Sequence, residues 1–180
     1  MESDKLKAGS GLASSVMIVL LLCLTFAGCS MIGDDDDEVV ERVQVGDRVP
    51  SFSVALTLPS ADEGRGEPAT FSTAALTGET VIVFFNTWCS DCQRELPRLN
   101  EYYLQHRGEA GFQMVAISRA EEEDKVAAFW AANQLQIPYS AQADRRVYEL
   151  FATSVIPRIY YVSRKGIVTK VFVEQWNPEG

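Results

Sequence analysis

Trp88-Cys89-Ser90-Asp91-Cys92 sets two thiols two residues apart at the junction of two different hydrophobic patterns, and no other stretch constrains the fold of this chain as much. Before it, Val81-Ile82-Val83-Phe84-Phe85 is a continuous β-branched and aromatic run, the pattern of a strand buried on both faces. After it, Gln93 to Arg107 reads as a helix, with Pro97 inside it as an expected kink. A strand running into a helix N-terminus leaves unpaired N–H groups and the positive end of the helix dipole at Cys89, which favour a thiolate over a thiol. Cys92, one turn further on, can close a disulfide with it, so the pair reads as a redox couple and not as a staple.

The other two cysteines drop out of this chemistry. Cys23 lies in a leader that carries Lys5 and Lys7, an uninterrupted apolar run from Val16 to Leu24, and small residues at Ala27 and Gly28, the layout of a secretory signal peptide. The run is short of the roughly 20 apolar residues that a spanning helix needs. Phe26-Ala27-Gly28-Cys29 resembles the lipobox of bacterial lipoproteins, with Phe26 where Leu is more usual. That resemblance implies a lipidated Cys29 as the first residue of the mature chain; without cleavage Cys29 would be a third thiol. With Cys89 and Cys92 as the only thiols left, neither a structural disulfide framework nor a four-ligand zinc site can be built. The expected organisation is a signal peptide over 1–28, a lipidated cysteine and acidic tether over 29–42, and one domain over 43–180.

The net charge of −9 is not a property of that domain. Asp34 to Glu38 contribute five of the negative charges and the leader cancels internally, so Val39 onward carries −4, which argues against a nucleic-acid partner. The acidic run reads as a solvated, self-repelling tether. An alternative is that it resembles the surface-export signal of lipoproteins in some Gram-negative bacteria, although it starts five residues after Cys29. A calcium site is disfavoured because alternating ligands around a turn-forming Gly are missing.

Within the domain, Val45-Gly46-Asp47 and Pro50-Ser51-Phe52 precede two β-prone runs, Ser53 to Leu58 and Thr70 to Ser72, joined by the turn-rich Asp62 to Pro68. The strand at Thr80 to Asn86 and the cysteine helix follow. Phe112 to Ser118 reads as a strand and Glu121 to Asn133 as a helix, with Val126, Phe129 and Trp130 on one face. Tyr139 to Ala141 is a short strand and Asp144 to Phe151 an expected helix with Val147, Leu150 and Phe151 inward. Arg158 to Ser163 and Ile167 to Glu174 are strands joined by a tight turn at Arg164-Lys165-Gly166. The alternation predicts an α/β sandwich with a central mixed β-sheet flanked by helices.

These residues in this order resemble thioredoxin-fold thiol-disulfide oxidoreductases of the TlpA/ResA type. The resemblance runs from about Val45 to Val173. It rests on Val45-Gly46-Asp47 with Pro50 and Phe52, on Trp88-Cys89-x-x-Cys92 followed by Glu95 and Pro97, on Phe112 to Ser118, and on Ile156-Pro157 before a strand. It implies a thioredoxin-like fold with an N-terminal β-hairpin extension, here with no evident C-terminal helix. Trp176, the hairpin or a second subunit would then have to cover the face left bare.

The resemblance further implies that Cys89 attacks a substrate disulfide and Cys92 resolves the mixed disulfide. Pro157 is implied to be a cis-proline beside the pair, and Ile156 to offer backbone to an extended substrate. Trp88 is implied to shield the disulfide, and Glu95 to exchange protons near the thiols; its alternative reading is an exposed helix carboxylate. No cofactor beyond the redox-active disulfide and no metal is implied. Partners are disulfide-containing proteins, a membrane-bound thiol reductant and the membrane itself through the lipid. The expected location is the envelope of a Gram-negative bacterium, lipid-anchored at the outer membrane and facing the periplasm or the cell surface.

Three departures from the family pattern narrow the expectation. Ser90-Asp91 replaces the more usual residues between the cysteines, and the negative charge of Asp91 favours the disulfide over the dithiol, making the pair a reductant. Arg158 stands where a small hydroxyl residue is usual, close enough in the expected fold to pair with Asp91. Val83 takes the place of the buried acid of cytosolic thioredoxins, leaving proton transfer to Glu95. Two competing readings are a thiol peroxidase, whose cysteine loop differs from Trp-Cys-x-x-Cys, and a non-catalytic surface interaction module. His106, the one histidine, is a weak basis for metal carriage.

Overall fold

Thr80–Phe85 (β3), buried at all six positions, is an interior strand of the sheet. The computed structural model describes residues 39–59 and 68–178. The leader with Cys23 and Cys29, the acidic run and most of the turn-rich segment at 62–67 lie outside the described residues. Around β3 the chain places β1 (Ser53–Thr57), β2 (Pro68–Ser72), α1 (Ser90–His106), β4 (Gln113–Ser118), α2 (Glu123–Ala132), β5 (Tyr139–Ser140), a 3₁₀ turn at Tyr148–Leu150, β6 (Arg158–Val162) and β7 (Val168–Val173). The seven strands form one sheet in the order β2-β1-β5-β4-β3-β6-β7. β4 runs parallel to β3 and β5 and the remaining neighbours are antiparallel, so the sheet is mixed as expected.

Side chains along β3 alternate between faces. Phe84 meets Tyr148, Phe151 and Tyr160, with ring centroids 5.5, 4.8 and 6.1 Å away. Phe85, on the opposite face, meets Trp130 of α2 at 4.8 Å. Tyr161 stands opposite Val81 in the β3/β6 register, hence on the Phe85 face, and reaches Tyr102 of α1 at 6.2 Å. Both helices therefore cover one face, while the other is covered by the segment around Phe151 and by Phe52 next to β1, 5.8 Å from the Phe151 ring. α1 continues through Pro97 as one 17-residue helix, although Pro97 has no N–H to give the preceding turn.

Two expectations need correction. Asp144 to Phe151 forms only the single 3₁₀ turn, in which Tyr148 and Phe151 are buried and Leu150 is exposed. The Asp144 carboxylate accepts the Arg146 N–H at 2.9 Å, a local side-chain bond that competes with helix formation at this point. The tether boundary also moves: Val40 to Arg42, assigned to the tether, pair instead with the segment 151–153, Glu41 forming an antiparallel bridge with Ala152. Among the described residues no helix follows β7, and the face beside it is closed by Trp176. Its ring lies 5.3 Å from that of Tyr102, and its indole N–H donates to the Tyr161 hydroxyl at 3.0 Å. No helix among the described residues is long and apolar enough to cross a membrane.

Candidate redox site

The turn between β3 and α1 is held by its own backbone, by the side chain of its first residue, Asn86, and by one side chain from elsewhere, Glu121. The carbonyl of Asn86 accepts the Cys89 N–H at 3.3 Å, its side-chain oxygen accepts the Trp88 N–H at 3.2 Å, and its amide donates to the Arg119 carbonyl at 3.0 Å. Glu121, buried beyond the end of β4, accepts the Thr87 N–H at 2.8 Å and the Thr87 hydroxyl proton. Thr87, Trp88 and Cys89 are thereby fixed to β4 and its following loop as well as to the strand they leave.

Cys89 is the N-cap of α1: its Sγ accepts the Cys92 N–H at 3.5 Å, satisfying one of the unpaired donors of the helix start. The same thiol faces the Ile156 carbonyl oxygen, 3.6 Å away. The Ile156-Pro157 bond is cis, in agreement with the family pattern. Both cysteines are free, Cys89 partly exposed and Cys92 buried. Burial pushes the Cys92 thiol far above the usual cysteine range; its S–H bond to Cys89 pushes in the same direction, and a hydrogen bond with the Asn86 backbone pulls partly back. Cys92 is thus kept as a thiol beside a more accessible partner, the asymmetry that an attacking and a resolving cysteine require.

Trp88 stands beside this opening with 71% of its surface exposed, so it does not pack in the core. Glu95 is neither the exposed carboxylate of one reading nor a free acid: it is only 1% exposed and clamped by Arg94 Nε at 2.9 Å and by Arg98 at 2.6 Å. Its place one turn beyond Cys92 keeps it on the helix face that carries the buried thiol.

The expected Asp91–Arg158 pair does not form. Asp91 pairs with Arg94, at 2.6 Å and three residues along the same helix. Arg158 is completely buried and pairs with Glu41 at 2.8 Å, so it presents no guanidinium to a substrate. The partner of Asp91 was available locally, at i,i+3 spacing, whereas Arg158 points from β6 to the face away from α1. Arg94 also donates to the carbonyl of Glu174, tying the start of α1 to the end of β7.

Sequence reasoning missed Glu121 and Glu41. It read Glu121 as the first residue of a helix, and nothing local distinguishes an acid that turns inward to hold another loop. Glu41 fell inside the expected tether.

A Cys-x-x-Cys pair whose first thiol caps the helix leaving β3, opposite the Ile156-Pro157 loop, is the layout of a thioredoxin-fold dithiol protein. The chain belongs to the Redoxin family, whose model matches residues 44–179, and within it to the TlpA/ResA-like thiol-disulfide oxidoreductases. It is 26% identical over 159 residues to thiol-disulfide oxidoreductase ResA of Oceanobacillus iheyensis, a match covering 88% of this chain and 78% of that protein. It is also 26% identical over 162 residues to ResA of Bacillus cereus, covering 89% and 87%. The thio-disulfide isomerase structure from Thermus thermophilus superposes with a TM-score of 0.55 at 25% identity, over 76% of this chain and 91% of that one. The expected thioredoxin-like fold and oxidoreductase activity hold, and disulfide-bearing proteins are the substrate class that this family implies. The two ResA relatives come from Gram-positive genera and lend no support to a Gram-negative outer membrane.

Proposed function

We propose that the protein is a membrane-tethered, extracytoplasmic reductant of protein disulfides, working through Cys89 and Cys92. The observation that carries this reading is the placement of the Cys89 thiol, at the N-cap of α1, 3.5 Å from the Cys92 N–H and 3.6 Å from the Ile156 carbonyl.

In the first step Cys89, as thiolate, attacks one sulfur of a substrate disulfide; that S–S bond breaks, a Cys89–substrate disulfide forms, and the departing sulfur takes up a proton. Cys92 then loses its proton and attacks Cys89 Sγ, forming the Cys89–Cys92 disulfide and expelling the second substrate thiolate, which is protonated in turn. The substrate gains two electrons and two protons, and the cysteine pair loses them. Burial of Cys92 holds back its ionisation until the mixed disulfide forms beside it. Ile156, ahead of the cis Pro157, offers backbone to an extended substrate, and the exposed Trp88 offers an apolar surface next to the reacting sulfurs.

Cys29 would carry the lipid, the acidic run would hold the domain off the bilayer, and a membrane-bound thiol reductant would return the pair to the dithiol. Tasks suited to such a reductant are keeping apocytochrome c thiols reduced for haem attachment and repairing wrong disulfides. A Cys92→Ser variant should trap a mixed disulfide with a disulfide-bearing substrate protein, seen as a thiol-reversible adduct by mass spectrometry. Trapping by Cys89→Ser instead, or by neither variant, contradicts the assignment of roles.

A further inference from the structure

Val40, Glu41 and Arg42 form a strap laid antiparallel on residues 151–153. Val40 N–H donates to Thr153 Oγ1 at 2.9 Å, Thr153 N–H to the Val40 carbonyl at 3.2 Å, and Arg42 N–H to the Phe151 carbonyl at 2.9 Å. Both carboxylate oxygens of Glu41 accept from one terminal nitrogen of the Arg158 guanidinium, each at 2.8 Å. Arg158 has no exposed surface, and its Nε–H is shared between the carbonyls of Ser154 at 3.1 Å and Val155 at 3.0 Å. The Tyr148 hydroxyl donates to the same two carbonyls.

Those carbonyls bracket a strained residue. Val155 has φ +68°, in the left-handed region that a β-branched side chain enters only at a cost in energy. Such a conformation persists where its surroundings over-determine it, and here the surroundings are Arg158 and Tyr148. The next residue is Ile156, whose carbonyl faces the Cys89 thiol at 3.6 Å. Contacts therefore run without a gap from Glu41, through Arg158, to the peptide groups that set the direction of Ile156.

We propose that Glu41 is a positioning residue of the redox site: through Arg158 the strap holds residues 154–156 in the conformation that presents Ile156 to an extended, disulfide-bearing peptide. This inference rests on the reading of Cys89 as the attacking thiol and Ile156 as substrate-pairing backbone. A strap that served stability alone would slow every substrate equally or none.

The test uses the pre-reduced full chain, freed of reductant, in single-turnover reactions with two oxidants. One is an extended peptide closed by a single disulfide; the other is 5,5′-dithiobis(2-nitrobenzoate), which offers no backbone to pair. In Glu41→Gln, checked for a native near-UV circular dichroism spectrum, the half-saturating peptide concentration is expected to rise about tenfold. The limiting rate with peptide and the rate with the small disulfide should both stay within twofold of wild type. An unchanged half-saturating concentration, or a parallel fall with both oxidants, overturns the proposal.

If Glu41→Gln does not fold because a buried guanidinium is left unpaired, Val40→Pro carries the test. It removes the N–H bonded to Thr153 and leaves both Glu41 and Arg158 in place, and should raise the half-saturating concentration about threefold; no change overturns the proposal. Cys89→Ser must abolish both reactions. Should it react like wild type, the reading of the redox pair fails, independently of the strap.

Discussion

Replacing Glu121 by Gln keeps the size and shape of the side chain while removing the charge that holds the turn ahead of Cys89. The carboxylate accepts two hydrogen bonds from one residue, from the N–H and the hydroxyl of Thr87, and is almost wholly buried. The main chain of Glu121 is itself fixed, its N–H bonded to the Gln142 carbonyl at 2.8 Å and its carbonyl accepting the Ser118 hydroxyl at 3.2 Å, so the side chain cannot move away to find new partners. Gln retains one acceptor and turns an amide donor towards a donor of Thr87. A bond to a charged group is worth roughly 1.5–3 kcal/mol and a buried unsatisfied donor costs a similar amount, against which the lost cost of burying a charge must be set. We expect a net destabilisation of about 2 kcal/mol. With about 2.1 cal/mol/K per residue over some 140 residues, that corresponds to a fall in Tm of roughly 7 °C. Urea unfolding of the reduced protein followed by tryptophan fluorescence measures it directly, with an unchanged m-value as the sign that only stability has altered. A change below about 0.5 kcal/mol would mean that Thr87 is held equally well without the carboxylate.

Arg94→Gln leaves the charge of Asp91 uncompensated beside the dithiol, which favours the disulfide; the Cys89–Cys92 couple should become more reducing, by on the order of 10–20 mV at low salt, in a thiol redox buffer. Because burial disfavours the anion and so raises the Cys92 pKa, alkylation of Cys92 by iodoacetamide in a Cys89→Ser variant should stay slow through neutral pH and accelerate only in the alkaline range; half-maximal reactivity below about pH 8 would contradict this. Trp176→Ala removes the bond to Tyr161 and the contact with Tyr102, and should cost about 3 kcal/mol, or roughly 10 °C in Tm by thermal unfolding.

What the chain reveals before folding is what depends on neighbours in sequence. The buried run of β3, the turn to α1 and the spacing of Cys89 and Cys92 are local, and so are the Phe84 and Phe85 alternation and the turn at Gly166, whose φ of +74° needs glycine. Ile156-Pro157 was legible through family resemblance alone, since no local physics selects the cis isomer there. The partner of Arg158 was not legible, because Glu41 lies 117 residues earlier in the chain and meets it only once the strap docks on residues 151–153. The expected helix at 144–151 misled for a different reason: Val147, Leu150 and Phe151 carry a helical spacing, yet Tyr148 takes the buried position and its hydroxyl binds the Val155 carbonyl. Periodicity identifies an apolar face, but the bonds made by Asp144 and Tyr148 decide how much of the segment becomes helix.

The central claim, that this pair delivers electrons to disulfides, is tested most directly by the reduction potential of the Cys89–Cys92 couple, measured by equilibration with glutathione or dithiothreitol buffers and quantified by thiol alkylation. A reductant should show a value near the roughly −270 mV of thioredoxin; a value near the roughly −120 mV of DsbA would make the protein an oxidant.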